Sequence, residues 1–320
     1  MNAIDEQDSD DVAPTARRAT SAHAALAASV TARLTGLMDR PLAPGLYIVA
    51  TPIGNLADIT LRALAVLAAA DIVYCEDTRH SRGLFAAFGI GRALRAYHEH
   101  NADAERPRVM SALAAGQSVA LISDAGTPLV SDPGYKLVLA ARDAGHTVIG
   151  IPGPSAVTTA LSCAGLPTDH FLFAGFLPPK QAARRAAIAE LAATQATLVL
   201  FEAPGRVADC LADLASGLGG RPAAIARELT KMHEELMRGG LLELAHEAAA
   251  REWRGEVVIL VGPPASSSSI AVDDGEIVLR LQAAMAHESL RDAARGVAEM
   301  LGVPKKRVYE LGLKLKPDLP

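Results

Sequence analysis

Short apolar runs alternate with Ala- and Leu-rich stretches along the chain from residue 45 onward. The predicted strands are Leu46–Ala50, Ile72–Cys75, Val119–Ile122 and Thr147–Ile151, and the predicted helices are Leu61–Ala69, Arg108–Ala115, Tyr135–Ala144 and Ser155–Ala164. Wholly apolar strands that alternate with helices are typical of a parallel sheet covered on both faces. We therefore predict an N-terminal α/β domain over residues 45–166.

Beyond residue 166 the apolar runs lie closer together. Strands are predicted at His170–Phe176, Leu198–Phe201, Ala223–Glu228, Leu236–Leu242 and Val257–Val261, and helices at Lys180–Ala192 and Arg206–Ser216. Strands at this spacing are typical of a sheet with more antiparallel pairing. The pattern predicts a second α/β domain over residues 167–264, built on a mixed sheet.

Two segments lack this periodicity. Residues 1–44 mix acidic side chains with Ala, Ser and Thr and contain three prolines, which predicts a disordered N-terminal tail with at most one helical patch. Residues 263–275 read P-P-A-S-S-S-S-I-A-V-D-D-G and predict a flexible linker.

The last segment, residues 276–320, predicts a small helical module. One helix runs to about Met300, residues 301–303 form a turn, and Pro304 opens a second helix that begins K-K-R. This order is typical of a helix-turn-helix that contacts nucleic acid. It is also typical of a helical hairpin that only packs against its own domain, and both interpretations stay open.

Composition narrows the class of protein. The formal net charge of −5 argues weakly against a nucleic-acid partner, although a global charge hides local clusters. Cys75, Cys163 and Cys210 form no C-x-x-C pair, so neither a disulfide framework nor a zinc site is expected. No apolar run approaches the ~20 residues that a membrane helix needs. We expect a cytoplasmic protein with no membrane partner.

Four polar, Gly- and Pro-rich segments follow predicted strands: Ala50–Leu56, Cys75–His80, Ser123–Gly134 and Ile151–Val157. Ligands of open α/β sheets bind beyond the carboxyl ends of the strands. Each segment alone also fits an ordinary connection, and in the second of them an acidic residue could simply cap a helix beginning near Ser81. Together they indicate a ligand cleft. The chain carries neither a G-x-G-x-x-G fingerprint nor a P-loop, which disfavours a dinucleotide site and excludes a P-loop hydrolase.

Eight short motifs follow one another in this chain between residues 45 and 264. They are T-P-I-G-N-L, E-D-T-R, D-A-G-T-P-x-x-S-D-P-G, P-G-P-S-A and G-F-L-P, followed towards the C-terminus by F-E-A-P, A-R-E-L-T-K and G-E-x-V. In this order they resemble the ribosomal RNA small-subunit methyltransferase I family of the tetrapyrrole methylase superfamily. The extension before residue 45 departs from that family and is expected to have no catalytic part.

The resemblance implies a two-domain tetrapyrrole-methylase-like fold that holds S-adenosylmethionine between its domains, usually in a homodimer. It implies methyl transfer to a cytidine 2′-hydroxyl of 16S rRNA near the decoding centre, within the small ribosomal subunit. The cofactor-binding residues that it implies are Pro52, Asp124, Gly126, Thr127, Ser155, Ala156, Leu177, Ala203, Leu229 and Pro263. No metal is expected.

A ribose hydroxyl is a poor nucleophile, and a group that accepts its proton would help the reaction. Our catalytic candidates are Glu76, Asp77, Arg79 and Lys180, with His98, Glu99 and His100 as further loop residues. The sequence does not choose among them.

Two basic segments are candidates for contact with the RNA backbone. The first is the Arg-rich segment between Arg79 and Arg108, and the second comprises Lys180, Arg184 and Arg185. A solvated helix face is a strong alternative for Arg184 and Arg185 and a weaker one for Arg79, which lies inside a motif.

Two other functions remain open. The same fold could serve a precorrin or uroporphyrinogen methyltransferase, although E-D-T-R and the basic C-terminal hairpin argue against it. A non-catalytic RNA-binding assembly factor is disfavoured by the intact cofactor loops.

Overall fold

The computed structural model describes residues 13–264, 273–301 and 303–315, with side chains described from residue 22 onward. The first sheet consists of β1 (Gly45–Val49), β2 (Ile72–Cys75), β3 (Leu94–Ala96), β4 (Ser118–Ile122) and β5 (Val148–Ile151), in the order β3-β2-β4-β1-β5. Every neighbouring pair in it is parallel. The parallel N-terminal sheet expected from the sequence is confirmed.

Helices cover both faces of this sheet. They are α2 (Leu61–Ala69), α3 (Thr78–Ala87), α4 (Ala102–Ala114) and α5 (Tyr135–Asp143). Helices α2 and α3 pack in one apolar cluster with Tyr47, whereas α4 and α5 pack in another with Leu46. Successive strand residues face opposite sides of a sheet. Since both sides are buried, the strands other than the edge strand β3 are predominantly apolar.

The second sheet consists of β6 (Phe171–Phe176), β7 (Thr197–Glu202), β8 (Pro222–Arg227), β9 (Glu235–Gly240) and β10 (Val257–Val261), in the order β6-β7-β10-β8-β9. Strands β6 and β7 pair parallel, and the other neighbours pair antiparallel. The mixed sheet is therefore confirmed. Its helices are α6 (Ala156–Ala164), α7 (Gln181–Leu191), α8 (Val207–Leu218) and α9 (Leu241–Ala249).

Helix α6 joins the two sheets. It follows β5 along the chain, yet Val157, Ala160 and Leu161 are buried in one apolar cluster with Val199 and Leu260 of the second sheet. Helices α7, α8 and α9 cover the opposite face. The loop between β5 and α6 consequently lies where the two domains meet.

The expectation of a disordered N-terminal tail over residues 1–44 is wrong for Ala13–Met38, which forms helix α1. The segment is rich in Ala and Leu, both strong helix formers, and Pro14 lies in the first turn, where proline is tolerated. The helix packs against α2, although Leu26 is 64% exposed. Residues 1–12 lie outside the described residues.

The C-terminal module has three helices where the sequence analysis expected two: α10 (Asp274–Met285), α11 (Leu290–Leu301) and α12 (Lys305–Lys314). They bury a shared apolar cluster that includes Ile277, Leu281, Val297 and Val308. The additional helix α10 begins inside the segment expected to be a linker. Residues 265–272 of that segment lie outside the described residues.

Two further elements escaped the sequence analysis, strand β3 and helix α9. The strand predicted to run to Leu242 ends at Gly240, because the Glu243 carboxylate accepts a hydrogen bond from the Gly240 amide (3.1 Å) and starts α9. Among the described residues, no helix is both long and apolar enough to cross a membrane.

Candidate functional site

Strands β1 and β4 lie side by side, but the chain leaves them towards opposite edges of the sheet. Such a point opens a crevice at the carboxyl ends of the strands. Thr51 and Gly126 close the base of the crevice by exchanging two backbone hydrogen bonds, at 2.9 and 3.0 Å. Gly126 has a φ of 77°, which favours glycine. The loops after β1 and β4 are thereby fixed to each other.

A cavity of about 330 Å³ lies above this crevice, between the first-sheet loops and the ends of β6, β7 and β10. Five of the expected cofactor residues line it: Gly126, Thr127, Ser155, Ala156 and Ala203. Ile53, Val130, Phe176, Phe201 and Val258 form an apolar wall. Mostly apolar walls with a few polar groups are typical of small-molecule sites. The cavity is large enough to hold a good part of a nucleoside cofactor.

Two other expected cofactor residues, Pro52 and Asp124, line a neighbouring cavity of about 370 Å³, next to α3. Asp124 also has a structural partner, since its Oδ1 accepts a hydrogen bond from the Asp77 backbone amide (3.0 Å). This contact ties the end of β4 to the end of β2. One carboxylate oxygen of Asp124 is therefore engaged in holding the loop after β2, so any contact of Asp124 with a ligand is made in addition to this structural bond.

None of the remaining three expected cofactor residues lines the cavity, and Pro263 lies beyond the opposite end of β10 from Val257 and Val258, which do line it. Leu177 and Leu229 are only 4% and 6% exposed and pack in apolar clusters. The Leu177 carbonyl accepts a hydrogen bond from the Arg206 guanidinium (2.7 Å). Pro263 is half-buried just beyond β10. The cofactor role of all ten residues stays a prediction.

Three of the four expected catalytic residues, Glu76, Asp77 and Arg79, lie where β2 meets α3, whereas Lys180 precedes α7 in the second domain. Asp77 is the N-cap of α3, where it accepts a hydrogen bond from the Arg79 amide (2.8 Å). Its ion pair with the Arg79 side chain (2.7 Å) lowers the pKa of the Asp77 carboxyl to about 2. Arg79 and Lys180 are both exposed, and neither lines the cavity. Asp77 thus fits the helix-capping interpretation.

Glu76 is the member of this set that faces other carboxylates. Burial and the nearby Asp124 raise the pKa of Glu76, and His98 acts in the opposite direction. The second carboxyl of this group is Asp132, which lines the cavity and was not singled out from the sequence. Burial, followed by the charge of Glu76, raises the pKa of Asp132 to about 6. The sequence did offer one signal for Asp132, because it is the second acidic residue, after Asp124, in the loop that follows the buried strand β4.

The second basic segment is corrected by the structure. Arg184 is 3% exposed and pairs with the buried Asp213 of α8 (2.6 Å). Arg185 donates to the other oxygen of the same carboxylate (2.7 Å). A buried charge needs partners, so Asp213 holds both arginines against the domain. Arg184 is therefore unavailable to RNA phosphates, and Arg185 is engaged in an ion pair.

The domains also meet at a lysine latch, formed by Gly54, Glu228, Lys231 and Glu256. The Lys231 ammonium binds Glu228 (2.8 Å) and Glu256 (3.1 Å), and the Lys231 methylenes lie so close to Gly54 that a Cβ there would clash with them. Glu228 has a φ of 51°, an uncommon value for this residue type. Backbone strain of this kind persists where surrounding contacts fix it.

Comparisons with known proteins agree with this two-sheet fold and its C-terminal helical module. Residues 45–245 match the family model of the Tetrapyrrole (Corrin/Porphyrin) Methylases, and residues 271–316 match the model of the RsmI C-terminal HTH domain. Solved structures with a similar fold include a uroporphyrin-III-C-methyltransferase from Thermus thermophilus, with a TM-score of 0.51, 23% identity and coverage of 68% of this chain and 94% of that one. The methyltransferase CobJ gives 0.53 at 19% identity, over 69% and 95%.

Sequence relatives are closer. A protein of Mesorhizobium japonicum named Ribosomal RNA small subunit methyltransferase I is 54% identical over 88% of this chain and 96% of its own length. Proteins of the same name from Xylella fastidiosa (strain Temecula1) and Escherichia coli O157:H7 are 46% and 44% identical, over 83% and 84% of this chain and 98% and 94% of their own lengths. The chain belongs to the tetrapyrrole methylase family and, within it, to the ribosomal RNA small subunit methyltransferases I.

Proposed function

We propose that this protein transfers a methyl group from S-adenosylmethionine to the 2′-hydroxyl of a cytidine ribose in 16S rRNA. The observation that carries the proposal is the cavity between the two sheets, which gathers Gly126, Thr127, Ser155, Ala156 and Ala203 at a topological switch point. The printed name of the relatives, which specifies RNA of the small ribosomal subunit, supports the substrate class.

The residues of the cavity suit the cofactor. Phe176, Phe201 and Val258 offer apolar surface to a nucleoside, while Thr127 and Ser155 offer hydroxyls beside it. When bound, the cofactor supplies an electrophilic methyl group on sulfur. Transfer of that group is an in-line displacement, so the protein contributes mainly orientation and the exclusion of water.

The C-terminal module is the proposed RNA contact. Lys305 and Lys306 are exposed on the first turn of α12. Arg307, which follows them, is half-buried and paired with Asp274 of α10 (2.6 Å). Lysines at the start of the second helix of a helix-turn-helix are well placed for phosphate contacts. Arg82 and Arg95 offer exposed cations on the first domain.

A homodimer in the cytoplasm completes the proposal. Strand β6 lies at an edge of the second sheet and exposes Phe171, Leu172 and Phe176, at 46%, 38% and 55%. Exposed apolar edge strands are uncommon in monomers because they invite pairing. This edge is the surface that we assign to the dimer.

The direct test is a methyl-transfer assay on purified small subunits and on naked 16S rRNA, with mass spectrometry to locate the product. We expect a single methylated cytidine ribose. Transfer to a base, or to a tetrapyrrole in place of RNA, would contradict the proposal. Comparing the two RNA substrates also tells whether the assembled subunit is required.

A further inference from the structure

Three carboxylates line the cavity: Asp132, Glu202 and Glu256. The buried Glu202 is neutralised by Arg206, whose Nε lies 3.0 Å from Oε1, and it also accepts the Ala203 amide (2.8 Å). Glu256 is paired with Lys231 in the lysine latch (3.1 Å). A carboxylate held by a cation is a weaker base, because protonation would break a charged contact.

Asp132 has different surroundings. The described groups that act on its charge are Glu76 at the end of β2, Asp124 at the end of β4 and the Ser123 hydroxyl. Two carboxylates disfavour a third negative charge beside them, and burial acts in the same direction. The pKa of Asp132 is accordingly raised to about 6, so the group is ionised at neutral pH and yet ready to accept a proton.

The backbone fixes Asp132 in place. Ser131, the residue before it, has a φ of 65°, and Leu129 has a φ of 73°. Pro133 follows and restricts the backbone of Asp132 itself. Unfavourable backbone angles in a non-glycine loop persist only where the surrounding structure holds them. A side chain held rigidly at a cavity wall is suited to a reaction that depends on orientation.

We propose that Asp132 is the catalytic residue that accepts the proton of the ribose 2′-hydroxyl during methyl transfer. As the O–H bond breaks, the proton passes to the Asp132 carboxylate, and the oxygen electron pair forms the new bond to the methyl carbon. The bond from that carbon to sulfur breaks and leaves its electron pair on sulfur as a neutral thioether. The inference rests on the proposed function, because it requires a hydroxyl substrate.

Glu76 has a supporting part in this arrangement. It does not line the cavity, but its charge acts on Asp132 from the neighbouring strand end. The Asp77 amide donates a hydrogen bond to Asp124 (3.0 Å) and ties the end of β2 to the loop that carries Asp132, so Glu76 is a positioning residue that keeps Asp132 basic. Its replacement by Gln should move the pH dependence of the reaction to lower pH without abolishing the reaction.

The experiment compares Asp132→Asn, Asp132→Glu and a matched control, Asp143→Asn, whose carboxyl is exposed at the end of α5. The pH dependence of kcat/KM for S-adenosylmethionine, on small subunits between pH 5 and 8, reports ionisations of the free enzyme. We expect kcat/KM of wild type and the control to rise with pH, to reach half of its limiting value near pH 6 and to level off about one unit above that. Asp132→Asn should lose this limb and roughly 10²- to 10⁴-fold of the rate. Asp132→Glu should keep the limb at a reduced rate.

Calorimetric titration with the cofactor and thermal unfolding accompany the kinetics. Cofactor affinity should change less than about threefold in Asp132→Asn, which is under 1 kcal/mol. Its melting temperature at pH 7.5 should equal or exceed that of wild type, because a charge with a raised pKa is removed. A near-normal rate and an unchanged pH limb in Asp132→Asn would overturn the inference and leave the proposed function intact. Wild-type enzyme that binds the cofactor but methylates no RNA would overturn the proposed function itself.

Discussion

The two sheets contribute to one cavity in different ways. The parallel sheet supplies turns with special backbone geometry, such as Gly126 and Ser131, and polar groups that follow strand ends. The mixed sheet supplies mainly apolar surface from Phe176, Phe201 and Val258, and its domain contains the buried ion pairs Arg184–Asp213 and Arg206–Glu202. One half of the site therefore depends on loop conformation, whereas the other depends on the stability of its domain.

The largest expected effect tests the dependence of the second domain on buried charge. Arg184→Met leaves Asp213 without its buried partner, and loss of one member of a buried pair costs about 3–5 kcal/mol. Arg185→Met is the matched control, because Arg185 contacts the same carboxylate with a side chain that is 59% exposed, and it should cost under ~1 kcal/mol.

Chemical denaturation measures both values. The double variant Arg184→Met/Asp213→Leu should recover much of the lost stability, since the buried charge is then gone. Equal losses in the two single variants would contradict the assignment of Arg184 as the buried partner.

A smaller effect is expected from the first domain, and it concerns the ligand more than the fold. Gly126→Ala places a Cβ 3.3 Å from the Ile53 side chain at a φ of 77°. We expect a loss of ~1 kcal/mol in stability, and a loss of roughly tenfold in cofactor affinity if the displaced group costs ~1.4 kcal/mol in binding. Calorimetric titration and thermal unfolding separate the two.

Gly116→Ala is its control. Gly116 has a φ of 75°, but a Cβ there would meet nothing within 4 Å. It should show the same loss of stability with unchanged cofactor affinity. Parallel losses of affinity in both variants would mean that the loop after β4 has no special part in binding.

The C-terminal module is a third region, and changes on its surface should affect neither the stability of the second domain nor the affinity for the cofactor. Charge reversal of Lys305 and Lys306 removes up to two phosphate contacts, each worth roughly 0.7–0.9 in the log–log salt dependence of RNA binding. The slope should therefore fall by about 1.4–1.8, while cofactor affinity stays the same. Lys314→Glu, at the opposite end of α12, is the matched control and should change the slope less. An unchanged slope in the double variant would assign the module to packing.

The smallest expected effect is on the pH dependence of folding stability, which should have opposite signs for carboxyl groups of the two domains. Hydrogen bonds from Arg251, with those from Arg227, lower the pKa of Glu235 in β9 to about 2. A lowered carboxyl pKa stabilises the fold above the unfolded value of about 4.3, and this contribution is lost as the pH falls towards 2. The pKa of Asp132 is raised instead, so ionisation of Asp132 destabilises the fold as the pH rises through about 6. Glu235→Gln should cost less than ~1 kcal/mol at pH 7, because a third of the side chain is exposed. Urea unfolding at pH 7 and pH 3 should show a smaller difference between variant and wild type at the lower pH.

The difference between the loop-built and the apolar half of the site also explains which features could be predicted from the sequence. The helix Leu61–Ala69 and the strand Ile72–Cys75 agree with the structure residue for residue, because buried apolar runs and caps determine them locally. The first-domain residues that line the cavity, such as Gly126 and Thr127, lie in clusters of Gly, Pro and Asp that the sequence places at strand ends. Phe201 and Val258 belong to the motifs F-E-A-P and G-E-x-V, but their residue types alone do not distinguish a cavity wall from a core position.

Other features depend on pairs of residues that no local pattern connects. Arg184 resembles a solvated helix residue until Asp213, a full helix away, is brought against it. Asp132 stood within a motif, but its distinction from Asp124 requires knowing that the latter binds the Asp77 amide. The short strand β3 was missed because Leu94–Ala96 includes a polar residue and lies at the sheet edge.

The position of α6 has a consequence for cooperativity. Its chain belongs to the first domain, but Val157, Ala160, Leu161 and Ala164 are buried against the second sheet. A fragment ending at residue 166 would expose this apolar stripe to water and should aggregate. Heating the intact chain should therefore melt both sheets in a single calorimetric transition, despite the two-domain architecture.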